Sequence, residues 1–334
     1  MARIAINGFG RIGRLFFRQA ISDPDFEIVA VNDLTDTKTL AYLLKYDSVY
    51  GRYHGKVEAL DGSLRINGKE ALVFAEKDPA NLPWKKLGVD IVVESTGFFT
   101  DGEKAKVHLD SGAKRVVISA PAKGGADTVL VGVNDDRFKK AGPITCNASC
   151  TTNSVAPVMA ILSEKLGVLK ASMSTTHGYT ATQKLVDGPD SKDLRRGRAA
   201  AVNIVPSTTG AAEAVIQSLP ELAHKFDAVS LRVPIISGSI SVITALLKKK
   251  TSAEEVNDIF RAVAEEPRWS KIIKATDDPL VSTDILGEPY GAIIDLGMTK
   301  VMDGDLVQVL SWYDNEAGYT ATLVEHVRRV AAAL

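Results

Sequence analysis

The segment ITCNASCTTN places Cys146 and Cys150 four residues apart, with Cys150 between Ser149 and Thr151 and just ahead of the apolar run NSVAPVMAILSEKLG. Ser and Thr are favoured helix starters, so a helix is expected to open at this point. A thiol there would feel the positive end of the helix dipole, which lowers its pKa and favours the nucleophilic thiolate. Cys146 reads as an ordinary strand residue. With no second Cys/His cluster nearby, the pair is a poor metal site, and none is expected.

A nucleophilic thiol needs a proton acceptor. The chain has five histidines. His108, His224 and His326 lie in charged, helix-like stretches and read as surface residues, and His54 sits in the polar YGRYHGK without an evident partner. His177 ends an apolar, hydroxyl-rich strand, LKASMSTTH, where a site would open, so it is the preferred base for Cys150.

A second constellation opens the chain. Gly8, Gly10 and Gly13 form G-x-G-x-x-G between the strand-like RIAIN and a helical pattern, and Asp33 ends the next strand, EIVAVND, 20 residues after Gly13. Glycine lets backbone approach a pyrophosphate, the helix N-terminus supplies N–H groups, and the carboxylate accepts from a ribose hydroxyl. Asp33 would repel a 2′-phosphate, so NAD is favoured over NADP.

The elements that must carry these groups follow from periodicity. Buried-strand runs at 89–96, 113–120 and 128–134, with the helix-like EKAKVHLDSG between the first two, predict a parallel, doubly wound sheet. Beyond Cys150, FDAVSLRVP, SISVITALLKK and DLVQVLSWYD alternate as strands, with SAEEVNDIFRAVAEE as a helix, which predicts a largely antiparallel sheet. TATLVEHVRRVAAAL reads as an amphipathic helix packing back on the first domain. The expectation is therefore an α/β Rossmann-type domain over 1–149, joined by the terminal helix 316–334, and an α+β catalytic domain over 150–315. The balance of 40 Lys+Arg against 41 Asp+Glu gives no global field for nucleic acid or anionic membranes, and neither partner is expected. Few cysteines, no signal pattern and no spanning apolar run predict a cytoplasmic protein.

INGFGRIGR, NDL, ESTGFF, SAPAKG, NASCTTN, HGYT, KDLRRGRAA, PSTTGAA and WYDNEAGY, in this order along the chain, resemble phosphorylating glyceraldehyde-3-phosphate dehydrogenase. The resemblance implies an NAD-dependent enzyme that attacks an aldehyde through Cys150, oxidises the adduct to a thioester and releases it to inorganic phosphate as 1,3-bisphosphoglycerate. It implies that Thr180 and Arg232 hold the substrate phosphate. Ser149, Thr151, Thr209 and Gly210 would line the site of the attacking phosphate, with Arg196 between the two. It further implies that backbone groups of Arg11 and Ile12 meet the pyrophosphate, that Lys77 lies near the adenine half, that Ser119 and Asn315 lie near the nicotinamide, and that the stretch from Tyr179 to Ala201 lies at subunit contacts of a homotetramer. Ordinary alternatives stand beside these roles: helix capping for Ser149 and Thr151, surface charge for Arg196 and Lys77, a turn for Asn315.

The sequence departs from that family's pattern at Gly178, Gly188, Ile235, Ile236 and Ala317, without loss of a charged or nucleophilic group. Competing functions are an erythrose-4-phosphate dehydrogenase and a catalytically idle NAD-binding regulatory protein. HGYT with Thr180 favours the triose, and intact Cys150 and His177 argue against idleness.

Overall fold

The computed structural model describes residues 1–191 and 193–334; Lys192, which opens KDLRRGRAA, lies outside the described residues. Two compact units emerge, one of Met1–Leu130, Asp135–Ala148 and Leu323–Leu334, the other of Val131–Asn134 and Ser149–Thr322. Along the first run β1 (Ala2–Asn7), α1 (Arg11–Ala20), β2 (Phe26–Asn32), α2 (Thr37–Lys45), β3 (Val57–Leu60), β4 (Ser63–Ile66), β5 (Lys69–Phe74), α3 (Trp84–Leu87), β6 (Ile91–Glu94), α4 (Gly102–Ala105), α5 (Val107–Asp110), β7 (Arg115–Ile118), β8 (Asp127–Thr128) and β9 (Ile144–Cys146). There follow α6 (Cys150–Lys165), β10 (Val168–Gly178), β11 (Val205–Ser207), α7 (Ala211–Ser218), β12 (Phe226–Val233), β13 (Ser239–Leu247), α8 (Ala253–Ala264), β14 (Ile273–Thr276), β15 (Ala292–Asp295), β16 (Lys300–Met302), β17 (Leu306–Tyr313) and α9 (Ala317–Ala331). No helix among the described residues is long and apolar enough to cross a membrane.

The first sheet has the order β3-β4-β5-β2-β1-β6-β7-β9-β8. Its strands from β5 to β8 pair in parallel, whereas β3, β4 and β5 form an antiparallel meander. Every residue of β6 is buried and β1 and β2 each have only one that is not, as expected of parallel strands covered on both faces. Sequence periodicity misses the meander because its strands are short and half exposed. The signal that marks it is turn chemistry: Asp61-Gly62 and Asn67-Gly68 are hairpin dipeptides, and Asn67 and Gly68 adopt the positive φ of 51° and 86° that a type I′ turn needs.

Three expectations are corrected here. The run 128–134 is not a strand beyond Thr128: Val129, Leu130 and Val131 are buried, yet the chain turns at 131–133, where Gly132 has φ 81°. A short apolar run reports burial, not conformation. His108 and His326 are fully buried instead of exposed. Lys106 and Asp110 beside His108 are exposed and Arg328 and Arg329 beyond His326 are half-buried, while the imidazoles turn inward. EKAKVHLDSG also folds as two short helices, α4 and α5, not one.

The second sheet runs β11-β12-β10-β13-β17-β15-β14, with β16 on β17. Its long central strands β10, β13 and β17 are antiparallel, and only β10 with β12 and β14 with β15 pair in parallel. Burial alternates strictly along β13, so one face of the sheet makes the core. Helix α6, buried from Thr151 to Leu162, packs against β10, β13, β15 and β17.

His326 accepts or donates at Nε2 to the Thr145 hydroxyl at 2.8 Å and meets the Phe138 ring edge-on at 4.9 Å. Burial pushes its pKa down to about 3, against 6.5 for a free imidazole. The folded protein thus refuses a proton that the unfolded chain binds below pH 6.5. Stability present above that pH is lost as pH falls towards 3, by about 1.4 kcal/mol for each pH unit from this residue alone. His326→Gln should flatten the fall in urea midpoint between pH 6.5 and 4 relative to the wild type; an unchanged slope would show that His326 is not a source of it.

Candidate active site

Strand register assembles the candidate catalytic groups. On the second sheet Arg232 of β12 lies opposite His177 of β10, His177 opposite Ser239 of β13, and Ser239 opposite Tyr313 of β17. Directly opposed residues share a face, so one row across four strands presents a guanidinium, an imidazole and a phenol side by side. Cys150 enters this row from the first turn of α6, whose N-cap is Ser149: its hydroxyl accepts from Thr152 N at 3.1 Å. The Cys150 sulfur lies 3.4 Å from His177 Nε2.

On the far side of the ring, His177 Nδ1 is 2.6 Å from the Gly178 carbonyl oxygen and 2.6 Å from Arg232 Nη1, which itself reaches Gly178 O at 3.2 Å. Neither Arg232 nor Arg196 has a carboxylate partner among the described residues, and the charge of Arg196 is felt at Arg232. Burial, then the Arg232 charge, push the His177 pKa down to about 3. Burial pushes the Cys150 thiol up, opposed by Arg232 and by hydrogen bonds from Thr151. The expectation of a lowered thiol pKa is therefore corrected: the helix start and guanidinium act in the expected sense, but desolvation of the charged form outweighs them.

A hydroxyl chain, unread in the sequence, backs the thiol. Thr175 Oγ1 donates to the Ile240 carbonyl at 3.2 Å and contacts Tyr313 Oη at 2.7 Å, which contacts Thr151 Oγ1 at 3.0 Å. Each hydroxyl has one proton, so with Thr175 committed to Ile240, Tyr313 donates to Thr175 and Thr151 donates to Tyr313. Burial raises the Tyr313 pKa to about 12 and keeps it protonated.

The other anticipated anion ligands belong to the same unit. Thr180 follows β10 and pairs with the Thr182 hydroxyl at 2.9 Å; Thr209 accepts from Ala211 N at 3.1 Å beside Gly210, the N-cap of α7; Arg196 lies on the turn Leu194–Gly197. Among the described residues, none of these hydrogen-bonds to Cys150, His177 or Arg232. Asn315 is buried, and its Oδ1 accepts from Gly238 N at 2.9 Å and Ser239 Oγ at 3.1 Å, which leaves its NH2 group for a further partner. A side chain at Gly178 would bring its Cβ within 3.1 Å of Ile235 O, so the departures at these two positions are neighbours in space.

The glycine turn of the first unit borders a cavity of about 550 Å³ lined by Gly8, Gly10, Asp33, Lys77, Thr96 and Phe98, among others. Two of the fingerprint glycines are required by the turn's own packing: a Cβ on Gly8 would meet Thr96 N at 2.6 Å, and one on Gly13 would meet Gly8 O at 2.1 Å, whereas one on Gly10 would meet nothing within 4 Å. Gly10 caps α1, whose first residues are Arg11 and Ile12. Asp33 is fixed by Phe9 N at 2.8 Å and Thr35 N at 3.2 Å. Ser119 follows β7, its N–H donating to Glu94 O at 2.9 Å, and does not line this cavity.

Beneath the cavity lies a network that the sequence motifs contain but do not explain. Asn32 Nδ2 donates to Asn7 Oδ1 at 2.7 Å, Asn7 Nδ2 donates to Glu94 Oε2 at 2.6 Å, and Thr96 N donates to Glu94 Oε1 at 2.8 Å. The Trp84 indole can only donate, here to His108 Nδ1 at 3.1 Å, so His108 carries its hydrogen on Nε2 and donates to Glu94 at 3.1 Å. Asn7, Asn32 and Glu94 end β1, β2 and β6, and the network ties these strand ends together.

The profile described as glyceraldehyde 3-phosphate dehydrogenase, NAD binding domain, matches residues 2–102, and that of the C-terminal domain matches residues 149–315. Among curated relatives, the glyceraldehyde-3-phosphate dehydrogenase of Thermotoga maritima is 54% identical over 327 residues, covering 97% of this chain and 98% of its own. Those of Geobacillus stearothermophilus and Clostridium acetobutylicum are 50% and 48% identical, over 99% and 97% of this chain and 98% and 97% of their own.

Glu94→Gln would place an amide NH2 among groups that all donate to the carboxylate. A buried donor left facing donors costs about 1–3 kcal/mol, so affinity for NAD should fall by about tenfold or more in a calorimetric titration. An unchanged affinity in a folded variant would detach the network from the cavity.

Proposed function

This chain belongs to the glyceraldehyde-3-phosphate dehydrogenase family and is an NAD-dependent oxidoreductase acting on glyceraldehyde 3-phosphate, and we propose that Cys150 and His177 are its nucleophile and base. The single observation that carries this assignment is the 3.4 Å approach of the Cys150 sulfur to His177 Nε2 at the mouth of the strand row. Cys150 attacks the aldehyde carbon to form a thiohemiacetal. His177 Nε2 takes the thiol proton, returns it to the adduct oxygen and removes it again as the adduct is oxidised. NAD, when bound, supplies the hydride acceptor for this oxidation, which leaves a thioester on Cys150. Inorganic phosphate attacks the thioester carbonyl, the carbon–sulfur bond breaks, and 1,3-bisphosphoglycerate departs from the regenerated thiolate.

Arg232 and Thr180 hold the phosphate of the substrate; the guanidinium beside His177, which has no carboxylate partner among the described residues, supports this role, since a half-buried cation without one invites an anion. Ser149, Thr151, Thr209 and Gly210 receive the attacking phosphate at the starts of α6 and α7, with Arg196 contributing charge between the two. Gly8, Gly10, Gly13 and the backbone of Arg11 and Ile12 cradle the pyrophosphate, Asp33 takes the ribose, Lys77 flanks the adenine half, and Ser119 and Asn315 orient the nicotinamide. Residues 1–149 with the terminal helix 316–334 make the cofactor domain and 150–315 the catalytic domain. The enzyme works in the cytoplasm as a homotetramer. In the stretch from Tyr179 to Ala201, Leu185 and Leu194 stand 81% and 85% exposed, which is apolar surface that a neighbouring copy would cover.

Initial rates of NADH formation test the assignment. The rate should require both glyceraldehyde 3-phosphate and inorganic phosphate and should exceed that with erythrose 4-phosphate. Cys150→Ser should show no burst, and His177→Asn should acylate on the order of 10²–10⁴-fold more slowly; full turnover in either variant would refute the covalent scheme. Asp33→Ala should narrow the preference for NAD over NADP by about tenfold, read as a ratio of kcat/KM values.

A further inference from the structure

Tyr313 is a buried phenol that meets the His177 ring edge-on, with centroids 5.9 Å apart, and whose oxygen lies between two hydroxyls, those of Thr175 and Thr151. No step of the reaction uses it. The Thr175 hydroxyl is committed to the Ile240 carbonyl. Ser230 and Ser241, directly opposite Thr175 on β12 and β13, make no hydrogen bond among the described residues, so neither diverts it. Tyr313 therefore donates to Thr175 and offers Thr151 a lone pair. The Thr151 hydroxyl, next to Cys150 in the first turn of α6, has two acceptors within reach. One is the phenol oxygen at 3.0 Å; the other is the sulfur, whose charged form it favours.

We propose that Tyr313 and Thr175 are positioning residues that withhold the Thr151 proton from the Cys150 thiolate and so leave the nucleophile short of one hydrogen bond. Anionic sulfur draws that proton strongly. Thr151 can turn to it only by abandoning a buried phenol oxygen that is then left without a donor, which opposes the move. A thiolate denied a donor is more basic and attacks faster than one that has it. The charged or titratable groups that face the sulfur are His177 of β10, Arg232 of β12 and Tyr313 of β17. All three are retained when Thr175 is changed, so the hydroxyls can be tested apart from the charges. The consequence for catalysis rests on the assignment of Cys150 as the nucleophile.

The test is the pH dependence of iodoacetamide alkylation of the NAD-saturated enzyme, followed on the Cys150 peptide. Tyr313→Phe frees the Thr151 proton for the sulfur. The apparent pKa for thiolate formation should fall by about half to one unit, the worth of one hydrogen bond, and the rate constant on the alkaline plateau should fall about two- to threefold. Thr175→Val removes a hydroxyl that bonds neither Cys150 nor Thr151 and should have the same effect, because Tyr313 is left with Thr151 to donate to and Thr151 with the sulfur. Thr175→Ser restores the hydroxyl without the methyl group and should return both values to those of the wild type, which a loss of packing alone would not do. An apparent pKa that rises or stays unchanged in Tyr313→Phe or in Thr175→Val, or a Thr175→Ser profile displaced as far as that of Thr175→Val, would each overturn the proposal. Labelling is read on the peptide and not through turnover, so the proposal can fail while Cys150→Ser still shows no burst, and the assignment of Cys150 can fail while the profiles shift as stated.

Discussion

Register between four strands of the second sheet is the constraint on which the chemistry depends. A strand has a side-chain period of two, so a slip of one residue in β10 would turn His177 away from Arg232, Ser239 and Tyr313 together. Burial alternates strictly along β13, with Ser239, Ser241, Ile243, Ala245 and Leu247 inward, so a slip there would exchange its buried face for its half-buried one. Packing energy spread along these strands thereby fixes a geometry of a few ångströms at their ends. Helix α6, almost wholly buried, sets the height at which Cys150 meets that row.

Desolvation runs through both units as the opposing force. In the second it opposes the charged forms of both Cys150 and His177. In the first, a buried carboxylate is tolerated because Asn7, Thr96 and His108 all donate to Glu94. A buried polar group is costly unless satisfied, and here the satisfied network holds the ends of β1, β2 and β6 at the border of the dinucleotide cavity.

Much of this was legible in the sequence, and unevenly so. The glycine fingerprint with Asp33, and the pairing of Cys150 with His177, were readable because turn chemistry and strand ends leave local signatures. The start of α6 at Cys150 was readable from Ser149. The inward turn of His108 and His326 was not, since charged neighbours on the outer face of an amphipathic helix mask one polar residue on the inner face. Tyr313 and Thr175 escaped for a different reason: their partnership with Thr151 spans three separate elements, and hydroxyls carry no charge pattern to betray it. The β3–β5 meander was signalled by Asp-Gly and Asn-Gly, a turn code more informative there than apolar periodicity.

The hydroxyl chain behind Cys150 also has a direction. Because Thr175 is anchored on a carbonyl, the bonds form a polarised wire in which Tyr313 donates to Thr175 and the single proton of Thr151 is claimed by both Tyr313 and the Cys150 sulfur. Thr151 can turn its proton outward only by giving up its bond to Tyr313 or by reversing every hydroxyl in the wire at once. Three uncharged side chains thus store one bit of orientation, written by a backbone carbonyl in a neighbouring strand.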